Sequence, residues 1–513
     1  MKKNCFILLF CMYYSANFIA QTDTIPEKKK QNGFIKIDVM SIDMPNFTIP
    51  NEPNMSFSGT HYNLLFNKSI YTGIGIYGAL TGKRGGFFSL GVNAGYKKYI
   101  SEKLYSDIGF HFGGGGGAGA PDGGGAFILP HVNLGFDFKK FSINSGWSFI
   151  NFFDKGLIKD YQFNISIEVP LNYHYIDYSY LEKEYSLSEL KNTNWHNPTS
   201  KISLLMHLNN LNARGRSQNT FADKYDTAII NLAGFELAWY FSKKWFTYVK
   251  VDGAYNGIPG GYMDVFLGAG FLQKLNNNNT HILLKLAGGA GGGGGVETSG
   301  GFLIQPDITI EQRLYNDIFI ALNAGLVKTP DSNFLSNSYG VGVKYYTDKD
   351  GSIAENKKYN SAKFKGTSIA ITQEIYCKPK RVNRIVKNMQ QIGLQLNFNL
   401  NKHLYVSGQT SFANFGDAGA YAEGLVGLGL QTKSIANRFK LFGQLLGGAA
   451  GGGAISTGQG LIIKPSFGVD ICINNTLNIR TASGYVSAVN GNLGNLFFNI
   501  GVCYNISFLQ LKK

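Results

Sequence analysis

Apolar and polar residues alternate along most of the chain with a period of two. Around Pro130 every residue of one parity is apolar, and every residue of the other parity is polar or small. Successive side chains of a β-strand point to opposite faces, so this rhythm predicts a strand with one apolar face and one polar face. The apolar parity holds Ile128, Pro130, Val132, Leu134 and Phe136, and the opposite parity holds His131, Asn133, Gly135 and Asp137.

The same strand pattern occurs twice more, around Pro306 and Pro465. Each of these segments again has one apolar parity, and an acidic residue recurs at the same place on the polar parity: Asp137, Glu311 and Asp470. A proline inside a strand removes one donor from the hydrogen-bond ladder, so its repetition predicts a bulge or bend in every copy. The polar parities also place His131, Gln305 and Lys464 at one level.

Glycine-rich hairpins precede these strands and reveal an internal repeat. Other landmarks keep the same order, among them Gly85-Gly86, Gly260-Gly261 and Gly419-Ala420. The repetition predicts three tandem copies, 33–176, 199–346 and 366–508, which are joined by polar linkers. The repeated hairpin glycines are Gly113, Gly117, Gly125, Gly291, Gly295, Gly301, Gly451, Gly453 and Gly460.

Each copy divides into about eight extended segments. Short polar turns alternate with longer glycine-rich loops, and segments of about ten alternating residues with one tight end and one loose end are typical of membrane β-barrels. The fold class predicted is all-β, an antiparallel membrane β-barrel built from eight-strand units. In the first copy the segments are 33–45, 55–67, 70–80, 86–98, 103–117, 124–138, 140–153 and 161–173.

Two ways of closing the barrel remain open. All 24 strands could form one wide barrel, or each copy could close into its own eight-stranded barrel, whose interior only side chains can fill. Linkers of about 20 residues fit separate barrels but could equally be periplasmic loops of one large barrel. Glycines permit tight coiling, which small barrels demand more than wide ones. We favour one barrel of about 24 strands, because tandem small membrane barrels would be an unusual arrangement.

Composition and the N-terminus indicate an exported protein. Glycine makes up 65 of the 513 residues while charged residues are only 16%, which argues against a helix-rich enzyme. Residues 1–20 have the basic start, apolar stretch and small residue before the cut of a signal peptide, and a lipoprotein signal at Cys11 is the weaker alternative. Residues 21–32 are too few for a plug domain, so energised uptake is not expected.

A signal peptide followed by glycine- and aromatic-rich alternating strands resembles the outer-membrane β-barrel proteins of Gram-negative bacteria. The resemblance is to the class and covers the chain after residue 20, with no named family. It implies a location in the cell outer membrane, surrounded by outer-membrane lipid. The C-terminus departs from the class, because Phe508 is followed by five further residues rather than ending the chain on an aromatic.

Charge and motifs exclude several functions. The net charge is +15, but the lysines lie mainly in short turns such as Lys97-Lys98 and Lys139-Lys140, so nucleic acid is not an expected partner. An anionic lipid, an envelope protein or a surface polysaccharide is the expected neighbour. We find no phosphate-binding loop, nucleophile elbow or zinc motif, and expect no catalytic residue, metal or cofactor. The oligomeric state is open.

The recurring acids Asp137, Glu311 and Asp470 allow two interpretations. They could form a threefold acidic ring that favours cations in one lumen, or each could be the interior partner of a lysine or arginine. We favour the second. Asn144 and Asn323 are predicted to be interior hydrogen-bonding residues.

Three functions follow from these expectations. The first is passive channel or transport activity across the outer membrane, and the second, of equal weight, is a structural or assembly barrel whose glycine hairpins meet a protein or glycan partner. A lipid- or glycan-modifying barrel enzyme is least favoured, because no Ser, His and acid triplet has useful spacing. A soluble secreted β-domain is the remaining alternative.

Overall fold

The described part of the chain folds mainly into antiparallel strands. A computed structural model describes residues 25–47, 49–213, 229–354, 359–436 and 438–512. The predicted signal peptide, 1–20, lies outside the described residues. Among the residues described, no helix has both the length and the apolar character needed to cross a membrane.

The first eight long strands close into one barrel, which we call barrel 1. The eighth strand pairs with the first, for example Ile37 with Ile167, so the sheet has no free edge. Its strands are β2 (Gly33–Ile42), β3 (Met55–Leu65), β4 (Ile70–Thr81), β5 (Phe88–Tyr99), β6 (Leu104–Gly116), β7 (Phe127–Asp137), β8 (Ser142–Phe152) and β9 (Lys159–Pro170).

Barrel 2 closes in the same way, with Leu208 on its first strand opposite Val341 on its last. Its strands are β12 (Ser200–Ala213), β13 (Ile229–Tyr240), β14 (Trp245–Asn256), β15 (Met263–Leu275), β16 (Thr280–Gly292), β17 (Phe302–Tyr315), β18 (Ile318–Lys328) and β19 (Leu335–Lys349). A 3₁₀ turn, Asn276–Asn278, joins β15 to β16.

Barrel 3 closes through Ile371 on its first strand and Val502 on its last. Its strands are β20 (Ser361–Tyr376), β21 (Met389–Asn399), β22 (Leu404–Phe415), β23 (Ala422–Gln431), β24 (Phe439–Gly451), β25 (Leu461–Cys472), β26 (Leu477–Ala488) and β27 (Gly494–Lys512).

The preference for one barrel of about 24 strands is therefore wrong, and the alternative of three eight-stranded barrels describes the structure. In each copy the eighth strand pairs with the first strand of the same copy. The hydrogen bonds that a 24-stranded barrel would need between copies are thus already used within copies. The predicted copies 33–176, 199–346 and 366–508 each contain one barrel, apart from strand ends that extend beyond them.

The linkers build a small platform at the end where the short turns lie. β10 (Tyr173–Asp177) pairs with β1 (Lys29–Gln31) and with the end of β27, while β11 (Glu184–Ser186) pairs with the start of β20. Trp195 and Phe364 are buried in an apolar cluster between them. The platform elements are β1 (Lys29–Gln31), β10 (Tyr173–Asp177), a 3₁₀ turn (Tyr178–Tyr180), β11 (Glu184–Ser186) and the short helix α1 (Leu187–Leu190), which Ser186 caps.

The repeated prolines interrupt the ladder without changing its register. In barrel 1 the pairing of β7 with β8 stops at Ile128 and resumes at His131 in the same register, so Pro130 lies in a gap. The same gap spans Pro306 in β17 and Pro465 in β25. The expected bulge is absent at these three sites, because the missing proline N–H costs a hydrogen bond but inserts no residue.

The apolar face of these strands points outward, as predicted. Val132 and Leu134 are 59% and 56% exposed, and Ile308 and Phe467 occupy the corresponding faces of barrels 2 and 3. The residues of opposite parity point into the barrels and are mostly buried. Each barrel thus has an apolar exterior and a polar interior.

Candidate functional site

The three barrels contact one another in a cyclic order. The third strand of each barrel lies against the fifth strand of the next, so β4 meets β16, β14 meets β24, and β22 meets β6. Each contact is heterologous, since the third-strand surface of one barrel binds the fifth-strand surface of the next, and three such contacts close a ring. The chain is therefore a pseudo-threefold trimer made from one polypeptide, and the junction of its barrels is the candidate functional site.

Three equivalent hydrogen bonds link the barrels at the ends that carry the glycine-rich loops. Gly85 N–H donates to the Ser299 carbonyl over 2.7 Å. Gly260 donates to Gly458 over 3.0 Å and Gly419 donates to Gly123 over 3.1 Å. The donors are the aligned glycines of the three copies, so the repeat in sequence corresponds to a repeated contact between barrels.

Glycine is required at the junctions because backbones approach one another too closely for a side chain. A Cβ on Gly451 would lie 2.3 Å from the Gly260 carbonyl carbon, and a Cβ on Gly292 would lie 2.6 Å from the same atom of Gly85. A Cβ on Gly125 would lie 2.8 Å from the Gly419 Cα. The hairpins that were expected to meet a separate partner thus pack against a neighbouring barrel of the same chain.

The predicted hairpin glycines divide between two tasks. Gly125, Gly301 and Gly460 face the neighbouring barrel. Gly113 and Gly117 lie against the fourth strand and preceding turn of their own barrel, Gly291 faces Leu303 and Asp264 of its own barrel, and Gly453 lies against the backbone of Ala418. Gly451 faces barrel 2, and Gly295 lies in the second hairpin between β16 and β17.

Apolar side chains fill the space where all three barrels meet. Phe88 and Leu90 of barrel 1, Ala290 of barrel 2 and Phe412 of barrel 3 form one buried cluster, and Met263 packs against it. These residues point out of their own barrels and become buried only because the barrels associate. The part of the junction to which all three barrels contribute side chains is thus an apolar core.

Ion pairs fill the interior of barrel 2. Lys285 Nζ lies 2.8 Å from Glu236, and Lys344 bridges Glu236 and Glu311 at 3.2 and 2.9 Å. Tyr346 donates a further 2.6 Å hydrogen bond to Glu311. Buried charges are tolerated only when they are paired and hydrogen-bonded, and this series of alternating lysines and glutamates meets that condition.

Barrel 3 satisfies its interior charges with one lysine and one arginine. Lys464 lies 2.5 Å from Glu374 and 2.6 Å from Glu423. Arg480 binds both carboxylate oxygens of Asp470, at 2.7 and 2.9 Å. The planar guanidinium matches the carboxylate in this two-bond arrangement.

Barrel 1 combines ion pairs with amides that have no partner. Lys36 lies 3.5 Å from Asp107 and His61 lies 3.2 Å from Asp38, while Lys97 pairs with Glu168. On the wall formed by β7 to β9, the side chains of Asn133 and Asn144 are buried and have no hydrogen-bond partner among the described residues.

Aromatic and aliphatic side chains close each barrel toward the glycine-rich loops. In barrel 1, Phe57 packs near Phe127, and Phe127 stacks on Phe152 with ring centroids 4.9 Å apart. Tyr376, Tyr421 and Phe497 belong to the corresponding cluster of barrel 3, and Leu232, Tyr262 and Phe334 to that of barrel 2. Each described lumen is therefore occupied by charged groups at mid-height and by an apolar plug above them.

The three predicted acids lie in three different barrels, so the acidic-ring interpretation is wrong. Three separately closed barrels have no common lumen in which a ring could form. Glu311 pairs with Lys344 and Asp470 pairs with Arg480, as interior partners of cations. Asp137 instead lies at the end of β7, where it accepts hydrogen bonds from the Tyr99 hydroxyl and the Lys139 N–H.

The remaining predicted interior residues point into their barrels with diverse contacts. His131 lies 3.3 Å from Asp107, and Gln305 accepts a 3.3 Å hydrogen bond from Lys250. Asn323 donates to Asp307 over 3.1 Å. Asn144 has no partner among the described residues, and Lys464 pairs with two glutamates.

The interior lysines of barrel 2 were missed by the sequence analysis. Lys285 lies between Leu284 and Leu286, and Lys344 lies between Val343 and Tyr345. A lysine flanked by outward apolar residues has inward parity, so the signal was present in the alternation. Identifying their partners needed the strand register, which the sequence does not provide.

The carboxyl group of Asp122, in a junction loop, has a raised pKa. Asp122 lies in the loop between β6 and β7 and accepts the Gly117 N–H over 2.9 Å. Burial raises its pKa to about 7, against the opposing effects of that hydrogen bond and of nearby Arg384 and Arg84. The side chain lies 2.7 Å from where a Cβ on Gly419 of barrel 3 would be.

Comparisons with known proteins show similarity to outer-membrane barrels of solved structure. No family model and no curated protein matches the chain. The siderophore receptor PirA from Acinetobacter baumannii is 7% identical, covering 94% of this chain and 81% of its own, with a TM-score of 0.27. Pseudomonas aeruginosa OpdQ is 8% identical, covering 94% and 98%, with a TM-score of 0.21.

A shorter structure matches part of the chain. The Yersinia pestis outer membrane protein Ail is 15% identical and covers 29% of this chain and 99% of its own, with a TM-score of 0.19. At TM-scores this low, none of these likenesses bears on the arrangement of the barrels or on what they do. The functional argument therefore rests on the geometry alone.

Proposed function

We propose that the chain is a structural barrel protein of the Gram-negative outer membrane, in which three sealed barrels form a rigid threefold unit. The observation that carries the proposal is the combination of an apolar outside with a filled inside. It assigns the chain no chemical step and no solute pathway.

The outward faces support a membrane location. Trp147, Tyr161 and Phe163 of barrel 1 are all more than half exposed, as are Ile500 and Val502 of barrel 3. Soluble proteins rarely leave contiguous apolar surface of this extent in water. A closed barrel leaves no unpaired backbone edge, and alternating apolar-out, polar-in strands are the pattern of outer-membrane barrels.

The interiors favour a structural role over a passive channel. An eight-stranded barrel has an interior just wide enough for side chains to fill. Here Glu236 and Lys344 in barrel 2 and Glu374 in barrel 3 are fully buried, and moving a solute past them would break the pairs that make their burial tolerable. The apolar plugs add a second barrier in each barrel.

The rigid unit holds two functional ends in fixed positions. The linker platform and the short turns occupy one end, and the glycine-rich loops occupy the other. Outer-membrane barrels have short periplasmic turns and longer extracellular loops, so the proposal places the platform in the periplasm. Fusing three barrels in one chain fixes the spacing of the loops without any need for oligomerisation.

Planar-bilayer conductance of the purified protein tests the sealed lumens. We expect no stepwise current from the wild-type chain. Stepwise currents would support the passive channel instead and would overturn the proposal. Faster gel migration of unboiled membrane-fraction samples checks that the protein is a folded barrel in the membrane.

A lumen-opening variant shows that the assay can detect a pathway through this chain. The combined Phe57→Ala, Phe127→Ala, Phe152→Ala, Lys97→Ala and Glu168→Ala variant removes three rings of the barrel 1 plug and one of the ion pairs below it. We expect it to conduct more often than the wild type. The matched control is Phe163→Ala, which removes one aromatic side chain from the outward face and should leave the lumen closed.

A further inference from the structure

The loop between β20 and β21 of barrel 3 differs from every other described loop by its charge. Residues 378–387 contain five basic residues and no acidic residue. The corresponding loop of barrel 1, residues 43–54, contains Asp43 and Glu52 and no basic residue. Barrels 1 and 3 share the same eight-stranded scaffold, so the charge difference between these two loops does not come from the scaffold.

The base of the loop is fixed to the glycine-rich end of barrel 3. Arg381 donates hydrogen bonds to the Gly416 and Asp417 carbonyls over 2.6 and 2.7 Å. Val382 N–H donates to the Ala454 carbonyl, and Ser456 N–H donates to the Lys380 carbonyl. The following residues therefore form a tip whose position is set by these contacts.

The tip presents cations and aliphatic side chains together. Ile385 is 85% exposed, and Val382 and Val386 are about half exposed. Arg384 and Lys387 flank the aliphatic pair, at 3.9 and 3.0 Å from Asp417. Isolated exposed aliphatic residues are common, but three of them interleaved with cations match the composition of segments that lie in the head-group layer of a membrane.

The tip lies where barrels 3 and 1 meet. Asp417 and Gly416 N–H groups donate to the Asp154 carboxylate of barrel 1 over 3.1 and 2.7 Å. Below the tip, Gln373 and Asn414 exchange hydrogen bonds of 3.1 and 2.9 Å, and Gln373 also donates to Gln390. Gln373 has outward parity on β20, so polar amides stand among the outward apolar residues at this rim.

From this arrangement we infer that the loop tip and the rim beneath it bind the phosphorylated head group of a membrane lipid at the boundary of barrels 3 and 1. The guanidinium and ammonium groups pair with the phosphate, the half-buried amides of Gln373 and Gln390 can hydrogen-bond the polar backbone of the lipid, and Ile385 and Val386 enter the acyl boundary. The inference rests on the membrane location in the proposed function.

The charges around the tip are compatible with an anion. Asp417 pairs with Lys387 and Arg384, and the Asp154 carboxylate is engaged by two N–H groups. Lys155 of barrel 1 also lies near Asp417. Lys378, Lys380 and Arg384 are exposed, so the local excess of positive charge faces outward.

Native mass spectrometry of the full chain in neutral detergent tests the inference. The probes are dioleoyl phosphatidic acid, dioleoyl phosphatidylcholine and inorganic phosphate. We expect phosphatidic acid to bind at least about tenfold more tightly than phosphatidylcholine. The double variants Arg384→Gln/Lys387→Gln and Ile385→Ser/Val386→Ser should each reduce that binding at least about tenfold.

The matched control is Lys139→Gln/Lys140→Gln, which removes two exposed cations from a short turn at the opposite end of barrel 1. It should bind phosphatidic acid as the wild type does. Equal binding by wild type and the Arg384/Lys387 variant would overturn the inference. So would displacement of the lipid by equimolar inorganic phosphate together with wild-type binding by the Ile385/Val386 variant, because a free phosphate would then be the ligand.

Two further arms keep the outcomes distinct. In the first, polygalacturonate, an acidic polysaccharide, is added at a carboxylate concentration equal to the phosphate concentration of phosphatidic acid. Displacement of the lipid would identify a glycan as the ligand and overturn the inference of a lipid. Unboiled gel migration confirms that each variant is folded. Conductance and membrane fractionation report on the proposed function separately, so tight lipid binding by a conducting protein would refute the sealed lumens while leaving the lipid site intact.

Discussion

The junctions between barrels and the interiors of barrels differ in how closely the three copies resemble one another. At the junctions the copies use aligned residues for one task, as the N–H groups of Gly85, Gly260 and Gly419 all donate to the neighbouring barrel. The polar groups of the interiors differ from copy to copy, since barrel 2 relies on lysine and glutamate pairs and barrel 1 includes amides with no partner among the described residues.

The difference follows from the physical requirements of the two regions. A junction is made by two backbones in close approach, which only glycine or another small residue permits. An interior needs filled volume and paired polar groups, and many side-chain combinations achieve that. Repetition at the junctions therefore reports the assembly of the three barrels, while each interior can change on its own.

The largest effect is expected inside barrel 3. Lys464→Met removes the cation that lies between Glu374 and Glu423, leaving two buried carboxylates without it. Removing one partner of a buried ion pair costs about 3–5 kcal/mol. Urea unfolding followed by unboiled gel migration should show a lower midpoint, whereas Lys402→Met in an exposed turn should leave it unchanged. An unchanged midpoint for Lys464→Met would refute the interior pairing.

A junction effect of similar size should depend on pH. The folded-state pKa of Asp122, about 7, lies above its ordinary value of 3.8, so its contribution to the free energy of unfolding falls as pH rises from about 4 to about 7. Asp122→Asn removes that fall and should stabilise the protein at pH 8 by up to about 4 kcal/mol, since one pKa unit is about 1.4 kcal/mol. At pH 4 the two proteins should unfold alike.

One result would contradict the pH prediction for Asp122. If the variant and the wild type keep the same difference in unfolding midpoint from pH 4 to pH 8, Asp122 does not titrate in this interval. The experiment also separates junction from interior, because Asp122 lies at the boundary of barrels 1 and 3.

A smaller loss is expected from steric conflict at one junction. Gly451→Val places methyl groups against the backbone of Gly260 and Gly261, and overpacking of this kind costs about 1–3 kcal/mol. The matched control is Gly424→Val in the same barrel, because a Cβ there would meet no atom within 4 Å. Limited proteolysis of the glycine-rich loops where barrels 2 and 3 meet should increase only for Gly451→Val. Equal protection of both variants would contradict the close contact between these two barrels.

The smallest effect is expected in barrel 1. Asn144→Leu replaces a buried amide that has no partner among the described residues by an apolar group of similar size. Such a replacement is nearly neutral or stabilising, within about 1 kcal/mol. The unfolding midpoint measures it, and a loss of more than about 2 kcal/mol would show that the amide makes hydrogen bonds essential to the barrel.

The sequence predicted the strands and their faces well. The alternation around Pro130 identified both the strand Phe127–Asp137 and its outward residues, because the period of two directly records which side chains are buried. The repeated glycines likewise located the hairpins. Local pattern was sufficient wherever a property depends on neighbours along the chain.

The closure of the barrels and the interior partners could not be predicted in the same way. Whether strand β19 pairs with β12 or with β20 depends on residues more than a hundred positions apart, and both choices keep the same alternation. The pairing of Lys464 with Glu374 likewise needs the register of distant strands. The role of the hairpin glycines became visible only when the barrels were placed beside one another.

The central claim is that each copy closes on itself, and a disulfide cross-link tests it most directly. In a background without Cys377, Cys472 and Cys503, we expect Leu208→Cys and Val341→Cys to cross-link across the β12–β19 closure, since these outward residues are paired. A chain that instead links Val341→Cys to Ile369→Cys or Ile371→Cys on β20, and never to position 208, would contradict three separate barrels and restore a single large one.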